Sequence, residues 1–294
     1  EDYHLLQGAR VEDYVGAARR ALRDSEIPVE NSKGEAAIGQ HELNIRYTDV
    51  LAMADRHVVV KQAMKELAEQ QGAAVPFMAQ PDAEQSGSSC HLHLSLWSDD
   101  GDAAANVFAD DDGPTDLFRW FLGGWMRHTD DLMVCYAPTV NSYKRLVPGY
   151  EAPTYVAWSR RNRSALVRVP HYHPGKESST RAELRCPDPA CNPYLTFAAL
   201  LHAGLDGIER GYELPDPIER NLYDTTPEER AAMGITSLPE TLGEAIELGA
   251  GSELLLRAFG EHIHTRYVEV KREEWQEWRV QVTPYELDRY LPRL

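Results

Sequence analysis

The stretch "CHLHLSLW", residues 90–97, decides the architecture. Successive side chains of an extended chain point to opposite faces. The alternation therefore puts His91, His93, Ser95 and Trp97 on one face and Leu92, Leu94 and Leu96 on the other. Three further stretches repeat the arrangement. In "ELNIRY" (42–47) Glu42, Asn44 and Arg46 oppose Leu43 and Ile45; in "SALVRVP" (164–170) Ser164, Leu166 and Arg168 oppose Ala165, Val167 and Val169. In "RAELRC" (181–186) Arg181, Glu183 and Arg185 oppose Ala182, Leu184 and Cys186. One polar face is ordinarily the wet side of an antiparallel sheet. Wet faces favour Lys, Thr and Glu over His-x-His and Arg-x-Glu-x-Arg, however. The spacing predicts an α+β fold in which a curved antiparallel sheet forms a funnel for anions and metal, backed by helices.

The helices are read from apolar spacing and caps. They are expected at about 9–24, after Thr48 as N-cap with Gly72 as stop, and at about 114–132, 193–210, 226–233, 239–260 and 261–281. Pro193 suits a first helical position. Neither an internal repeat nor a linker divides the chain, so residues 1–294 are expected to form one domain.

Composition narrows the function. The 294 residues carry 47 Asp plus Glu against 30 Lys plus Arg, a formal net charge of −17. A surface of that sign repels nucleic acid, which needs clustered cations. The acidic run at 98–113 reads as a solvated loop. No apolar run approaches the roughly 20 residues of a membrane span, and no signal peptide is visible, which points to the cytoplasm. The first residue is Glu1 and not Met, so an upstream portion is expected. The four cysteines, Cys90, Cys135, Cys186 and Cys191, lack zinc-type spacing and are expected as reduced thiols.

Chemistry concentrates at a few positions. The stretch "GEAAIGQHE" (34–42) sets Glu35 and Glu42 around a turn. With Glu183, His91 and His93 they make a donor set suited to magnesium or manganese, which prefer carboxylate oxygens with an occasional imidazole. The segments "NSYKRLVPGYEAP" and "WSRRNRSALVRVP" add Arg145, Arg163 and Arg168 beside Glu151. Arginine forks bind carboxylate and phosphoryl oxygens bidentately. Arginines facing carboxylate-bound cations suit phosphoryl transfer to an acid. No G-x-x-x-x-G-K-[ST] loop occurs, which excludes a P-loop enzyme.

These segments, with "GQHELNIRYTDVLAMADRH", "SGSSCHLHLSLW", "RAELRCPDPACNPYLTFAALLHAGLDGI" and "NLYD" in the same order, resemble the catalytic domain of the glutamine synthetase family. The resemblance implies ATP-dependent ligation of an amine to the γ-carboxylate of glutamate through γ-glutamyl phosphate. It makes Glu35 and Glu42 ligands of the cation that orders glutamate and the acyl phosphate, and His91 and Glu183 ligands of the cation on the nucleotide phosphates. Arg145 and Gly87 are implied as contacts to glutamate, and Arg163 and Arg185 as contacts to the transferring phosphoryl group. Glu151 is implied as a flap carboxylate, and Glu30, His93 and Ser95 as the nucleotide side. The partners implied are glutamate, ATP, ammonia or a small amine, and further copies in a dodecamer-like ring.

Three departures qualify the match. The family's β-grasp domain and its E-x-E carboxylate pair, both upstream in the family, have no counterpart in these residues, so the chain alone is expected to build an incomplete site. Ser86 and Ser178 stand where ammonia-specific members commonly carry Asn and Lys. The leading expectation is glutamine synthesis. A γ-glutamyl ligase for a polyamine or ethanolamine is the alternative within the class, and a catalytically silent structural or regulatory relative the alternative outside it.

Overall fold

The computed structural model describes residues 4–99, 101, 104–111, 113–149, 152–162, 164–171 and 175–294. In chain order these form α1 (Leu5–Arg10), α2 (Glu12–Asp24), β1 (Val29–Gly34), β2 (His41–Ile45), α3 (Val50–Gln70), β3 (Leu92–Leu94), β4 (Ala109–Asp110), β5 (Gly113–Pro114), α4 (Asp116–Tyr136) and α5 (Ser142–Arg145). There follow β6 (Trp158–Ser159), β7 (Val167–Arg168), β8 (Ala182–Leu184), α6 (Pro193–Arg210), α7 (Pro227–Ala232), α8 (Leu242–Ala250), α9 (Glu253–Arg279) and α10 (Pro284–Tyr290). Helix and sheet are mixed, as expected for an α+β fold.

Local chemistry explains the long helices. The Asp49 carboxylate, not the hydroxyl of Thr48, caps α3 by accepting from the Ala52 N–H at 3.0 Å, and the full charge makes it the stronger acceptor. Asn192 caps α6, Pro193 opens it without an N–H to satisfy, and Gly211 ends it at a left-handed φ of 63°. α4 and α6 meet through glycine: a Cβ on Gly124 would stand 2.0 Å from the carbonyl oxygen of Ala203, and one on Gly207 2.2 Å from that of Trp120. Around that seam lies the core, including Phe121, Leu122, Trp125, Leu200 and Ala203.

The sheet differs from the expected one in two respects. Its order is β3-β8-β7-β6, and β6 runs parallel to β7 while the other pairs are antiparallel. The chain leaves Ser159 through a turn in which its Oγ accepts from the N–H groups of Arg161 and Asn162. "ELNIRY" does not join this sheet. Its strand β2 pairs with β1 in a separate hairpin, in which no residue is buried. Strands without a buried face have nothing to insert into a core sheet. The expected helix at 239–260 breaks at Gly251 and Ser252, where the Ser252 hydroxyl caps α9, and the expected boundary at 260 is a kink at Gly260, φ 73°.

Candidate active site

The strand register lays one polar row across the main sheet. His93 stands opposite Glu183, Glu183 opposite Arg168, and Arg168 opposite Ser159. The adjacent row, Leu92, Leu184, Val167 and Trp158, turns to the opposite face and packs into the core. The alternation read from the sequence thus matches which side carries the polar side chains.

Glu183 is the hub of that face, 1% exposed. Arg185 Nη1 donates to its Oε1 at 2.6 Å, and His91 Nδ1 lies 3.3 Å from the same oxygen. Arg168 Nε approaches Oε2 at 2.6 Å, but off the hydrogen-bonding direction, so neither atom has a directed partner. Such contact is electrostatic attraction with acceptor capacity left over. His91 has 31% of its side chain at the surface, yet sits among crowded cations. Desolvation first, then Arg185 and Arg145, hold its pKa well below the ordinary histidine value, which keeps a neutral imidazole with a free lone pair. Burial also lowers the pKa of His93, against the pull of Glu183. Arg181 Nε donates to His93 Nδ1 at 3.3 Å.

Glu35 and Glu42 meet at the hairpin. The Lys33 ammonium bridges them, donating to Glu35 and lying 3.2 Å from Glu42 Oε2. Asn44 adds a bond of 2.7 Å to Glu42 Oε1. Desolvation raises the pKa of Glu35, while hydrogen bonds from Glu35, Asn44 and Lys33 bring that of Glu42 down to about 2. Two carboxylates of unlike basicity around one positive charge make a cation site, here filled by an ammonium of the chain itself.

The remaining expected residues divide. Arg145, 3% exposed, spends its guanidinium on main-chain carbonyls: Arg185 at 3.0 Å, Cys186 at 2.9 Å and Pro187 at 3.4 Å. Its stem lies against Gly87, where a Cβ would come within 2.9 Å of Arg145 Cγ and 2.5 Å of the Ala79 carbonyl oxygen. Gln40 Nε2 donates to the Gly87 carbonyl and to Ser88 Oγ, both at 3.0 Å, and so ties the hairpin to the Gly87 loop. Ser95 accepts from Trp97 Nε1 at 3.0 Å. Glu30 is exposed at the irregular end of the hairpin register. Glu151 and Arg163 lie outside the described residues.

The structure thus brings the expected donors together as two pairs, Glu35 with Glu42 and His91 with Glu183. Among the described residues, no three of the His, Cys, Asp and Glu side chains converge as a metal cage. The pairs still fit a hard divalent cation. One already attracts an ammonium, and the other combines a neutral imidazole with a buried carboxylate oxygen that lacks a directed partner. Lys33 and Gln40 were not singled out from the sequence. Lys33 becomes legible only when β1 is paired with β2, because the register sets it opposite Glu42.

Known proteins resemble this chain along nearly its whole length. The family description "Glutamine synthetase, catalytic domain" matches residues 1–290. Glutamine synthetase of Mycolicibacterium smegmatis is 47% identical over 277 residues, covering 93% of this chain and 61% of the relative. That of Thermotoga maritima is 43% identical, covering 98% and 65%, and that of Halobacterium salinarum 42% identical, covering 90% and 58%. The chain therefore spans about three fifths of the length of these relatives. A solved GmaS/ADP complex superposes with a TM-score of 0.88 at 33% identity, covering 99% of this chain and 66% of that one. No helix among the described residues is long and apolar enough to cross a membrane. The chain belongs to the glutamine synthetase family, whose catalytic domain it matches nearly end to end.

Proposed function

We propose that the protein ligates ammonia to the γ-carboxylate of glutamate, coupled to ATP hydrolysis through γ-glutamyl phosphate. The observation that carries this reading is the Glu183 cluster: one buried carboxylate, a neutral imidazole and two arginines on one sheet face. Glu35 with Glu42, and His91 with Glu183, would hold two divalent cations, magnesium or manganese. Bound there, such cations would neutralise charge on the phosphate and acyl-phosphate oxygens.

The other roles are those that the family resemblance implies, and side-chain chemistry suits them. Arg185 and Arg163 meet the transferring phosphoryl group, since their forks match its oxygens. Arg145 braces the 185–187 backbone and, with Gly87, shapes the seat for glutamate. His93, Ser95 and Glu30 border the nucleotide. Glu35, with Glu151 as the resemblance implies, would supply negative charge to the amine pocket, which favours a small ammonium ion and its deprotonation. We place the whole in one catalytic domain whose curved sheet lines a funnel, in a cytoplasmic homo-oligomer. The chain spans about three fifths of the length of its glutamine synthetase relatives, and the activity proposed is that of the whole protein.

A second reading is favoured by Ser86, beside Gly87. Its side chain is smaller than the Asn that ammonia-specific members of the family commonly carry there, so on that resemblance a larger primary amine could replace ammonia. Comparing kcat/KM for ammonia, ethanolamine and putrescine decides between them. Ammonia is expected to win; an organic amine ahead by tenfold would overturn the substrate but not the chemistry.

A further inference from the structure

The Glu35–Glu42 turn and the Gly87 loop are far apart in sequence and meet through one side chain. Within the turn the Glu35 N–H donates to the Gln40 carbonyl at 2.9 Å and the Gln40 N–H to the Ala37 carbonyl at 3.1 Å. The Ala37 N–H donates to Gln40 Oε1 at 3.1 Å. The other end of the same amide leaves the hairpin, where Nε2 donates to the Gly87 carbonyl and to Ser88 Oγ, both at 3.0 Å. The reverse orientation would set Oε1 against the Gly87 carbonyl oxygen, acceptor against acceptor. A second tie, from the Ile38 N–H to Gln85 Oε1 at 3.3 Å, is exposed.

The loop itself is braced from within. The Ser88 N–H donates to the Ala79 carbonyl at 2.7 Å. Gln80, 7% exposed, donates through Nε2 to the Asp82 and Gln85 carbonyls at 2.6 and 2.7 Å. Asn141, just ahead of α5, accepts from the Gln80 N–H at 2.9 Å and donates to the Gln80 carbonyl at 2.8 Å. Residues 79–88 are thus one braced unit, and Gln40 joins that unit to the turn.

We propose that Gln40 is a positioning residue that couples cation binding at Glu35 and Glu42 to placement of the Gly87 loop. A two-stranded hairpin with no buried residue is marginal on its own. A divalent cation between the two carboxylates offsets their repulsion and favours the closed turn. The closed turn is what aims Nε2 at Gly87, so a ligand that favours one favours the other, and the coupling is reciprocal. The seat for glutamate is then set as the cation arrives. The cation site and that seat belong to the proposed function; the link between turn and loop rests on the hydrogen bonds.

The test is hydrogen–deuterium exchange on the full-length protein, with manganese titrated and neither glutamate nor ATP present. Peptides spanning the turn (35–45) and the loop (79–89, ending short of His91) are expected to slow about fivefold or more at one manganese midpoint. In Gln40→Leu the turn peptide should stay protected while the loop peptide exchanges at its metal-free rate. Should leucine loosen the turn, the double variant Gln40→Glu with Ser88→Ala decides: it keeps an acceptor for the Ala37 N–H and no donor toward residues 87 and 88. Loop protection that persists in a variant with a protected turn would overturn the proposal, as would a wild-type loop that ignores manganese while the turn responds. A wild-type turn that ignores manganese would remove the cation from Glu35 and Glu42, and the proposal with it. In turnover, Gln40→Leu should raise KM for glutamate about fivefold with kcat within threefold. A severed link with unchanged KM would leave the coupling standing and overturn the part given to Gly87.

Discussion

Two buried carboxylates in this molecule have almost the same company and different valence. Glu183 is met by His91, Arg168 and Arg185; Asp206 is met by His128, Arg210 and Arg257. Around Asp206 every oxygen is used in a directed bond: Oδ2 with His128 Nε2 at 2.9 Å, Oδ1 with Arg210 Nε at 3.1 Å and Arg257 Nη2 at 2.7 Å. The partners come from α4, α6 and α9, so the cluster ties three helices. Around Glu183 the partners come from one sheet face, and Oε2 and Arg168 Nε lack directed bonds. The first arrangement is saturated and serves cohesion. The second keeps unspent donor and acceptor capacity in a buried setting, which is what a ligand site needs.

The comparison can be broken by substitution. The largest effect is expected for Glu183→Gln, which keeps the shape and removes the charge. Its kcat/KM should fall by about a hundredfold or more, beyond anything a change in folded fraction explains by circular dichroism. Asp206→Asn should do the reverse. It leaves His128, Arg210 and Arg257 around a neutral amide and should cost about 2 kcal/mol in denaturant unfolding, with kcat/KM within threefold of wild type. If the two variants exchanged phenotypes, the distinction would fail.

Glu42→Gln sharpens the site half of the comparison. The hairpin would keep its Lys33 contact to Glu35 but lose one of two charged walls. The divalent-cation concentration for half-maximal activity should rise about tenfold, with KM for the amine unchanged; an unchanged metal requirement would remove Glu42 from the cation site.

The smallest expected effect concerns pH. Burial opposes ionisation of Asp206, and the hydrogen bonds from His128 and Arg210 overcome it, holding its carboxyl below the ordinary range. A depressed folded-state value contributes stability above the unfolded-state value and loses it as pH falls through the folded one. The melting-temperature gap between wild type and Asp206→Asn should be full at neutral pH and narrow below about pH 4. A gap that widened in acid would contradict that sign.

What was legible in the sequence was periodic. Alternation in "CHLHLSLW" and "RAELRC" placed His93 and Glu183 on one face, and the register puts them opposite each other. The helix patterns found α3, α4 and α6 to within a few residues. What was not legible was tertiary. β1, "VENSKG", has one apolar residue and no buried one, so no alternation marks it, and Lys33 went unread with it. β6 runs parallel to β7, and where the chain leaves β6 the Ser159 hydroxyl accepts from the N–H groups of Arg161 and Asn162, a side-chain interaction that spacing does not encode. Asp206 and its partners are far apart in sequence and come together only when α4, α6 and α9 pack.

The central claim is an acyl phosphate built on this face, and oxygen tracing tests it directly. Glutamate labelled with oxygen-18 in its γ-carboxylate would be turned over with ATP and ammonia, and the released phosphate analysed by mass. If the carboxylate attacks the γ-phosphoryl group and the amine then displaces phosphate, each phosphate keeps one carboxylate oxygen and carries the label. Phosphate without label, released in step with amide formation, would contradict the account.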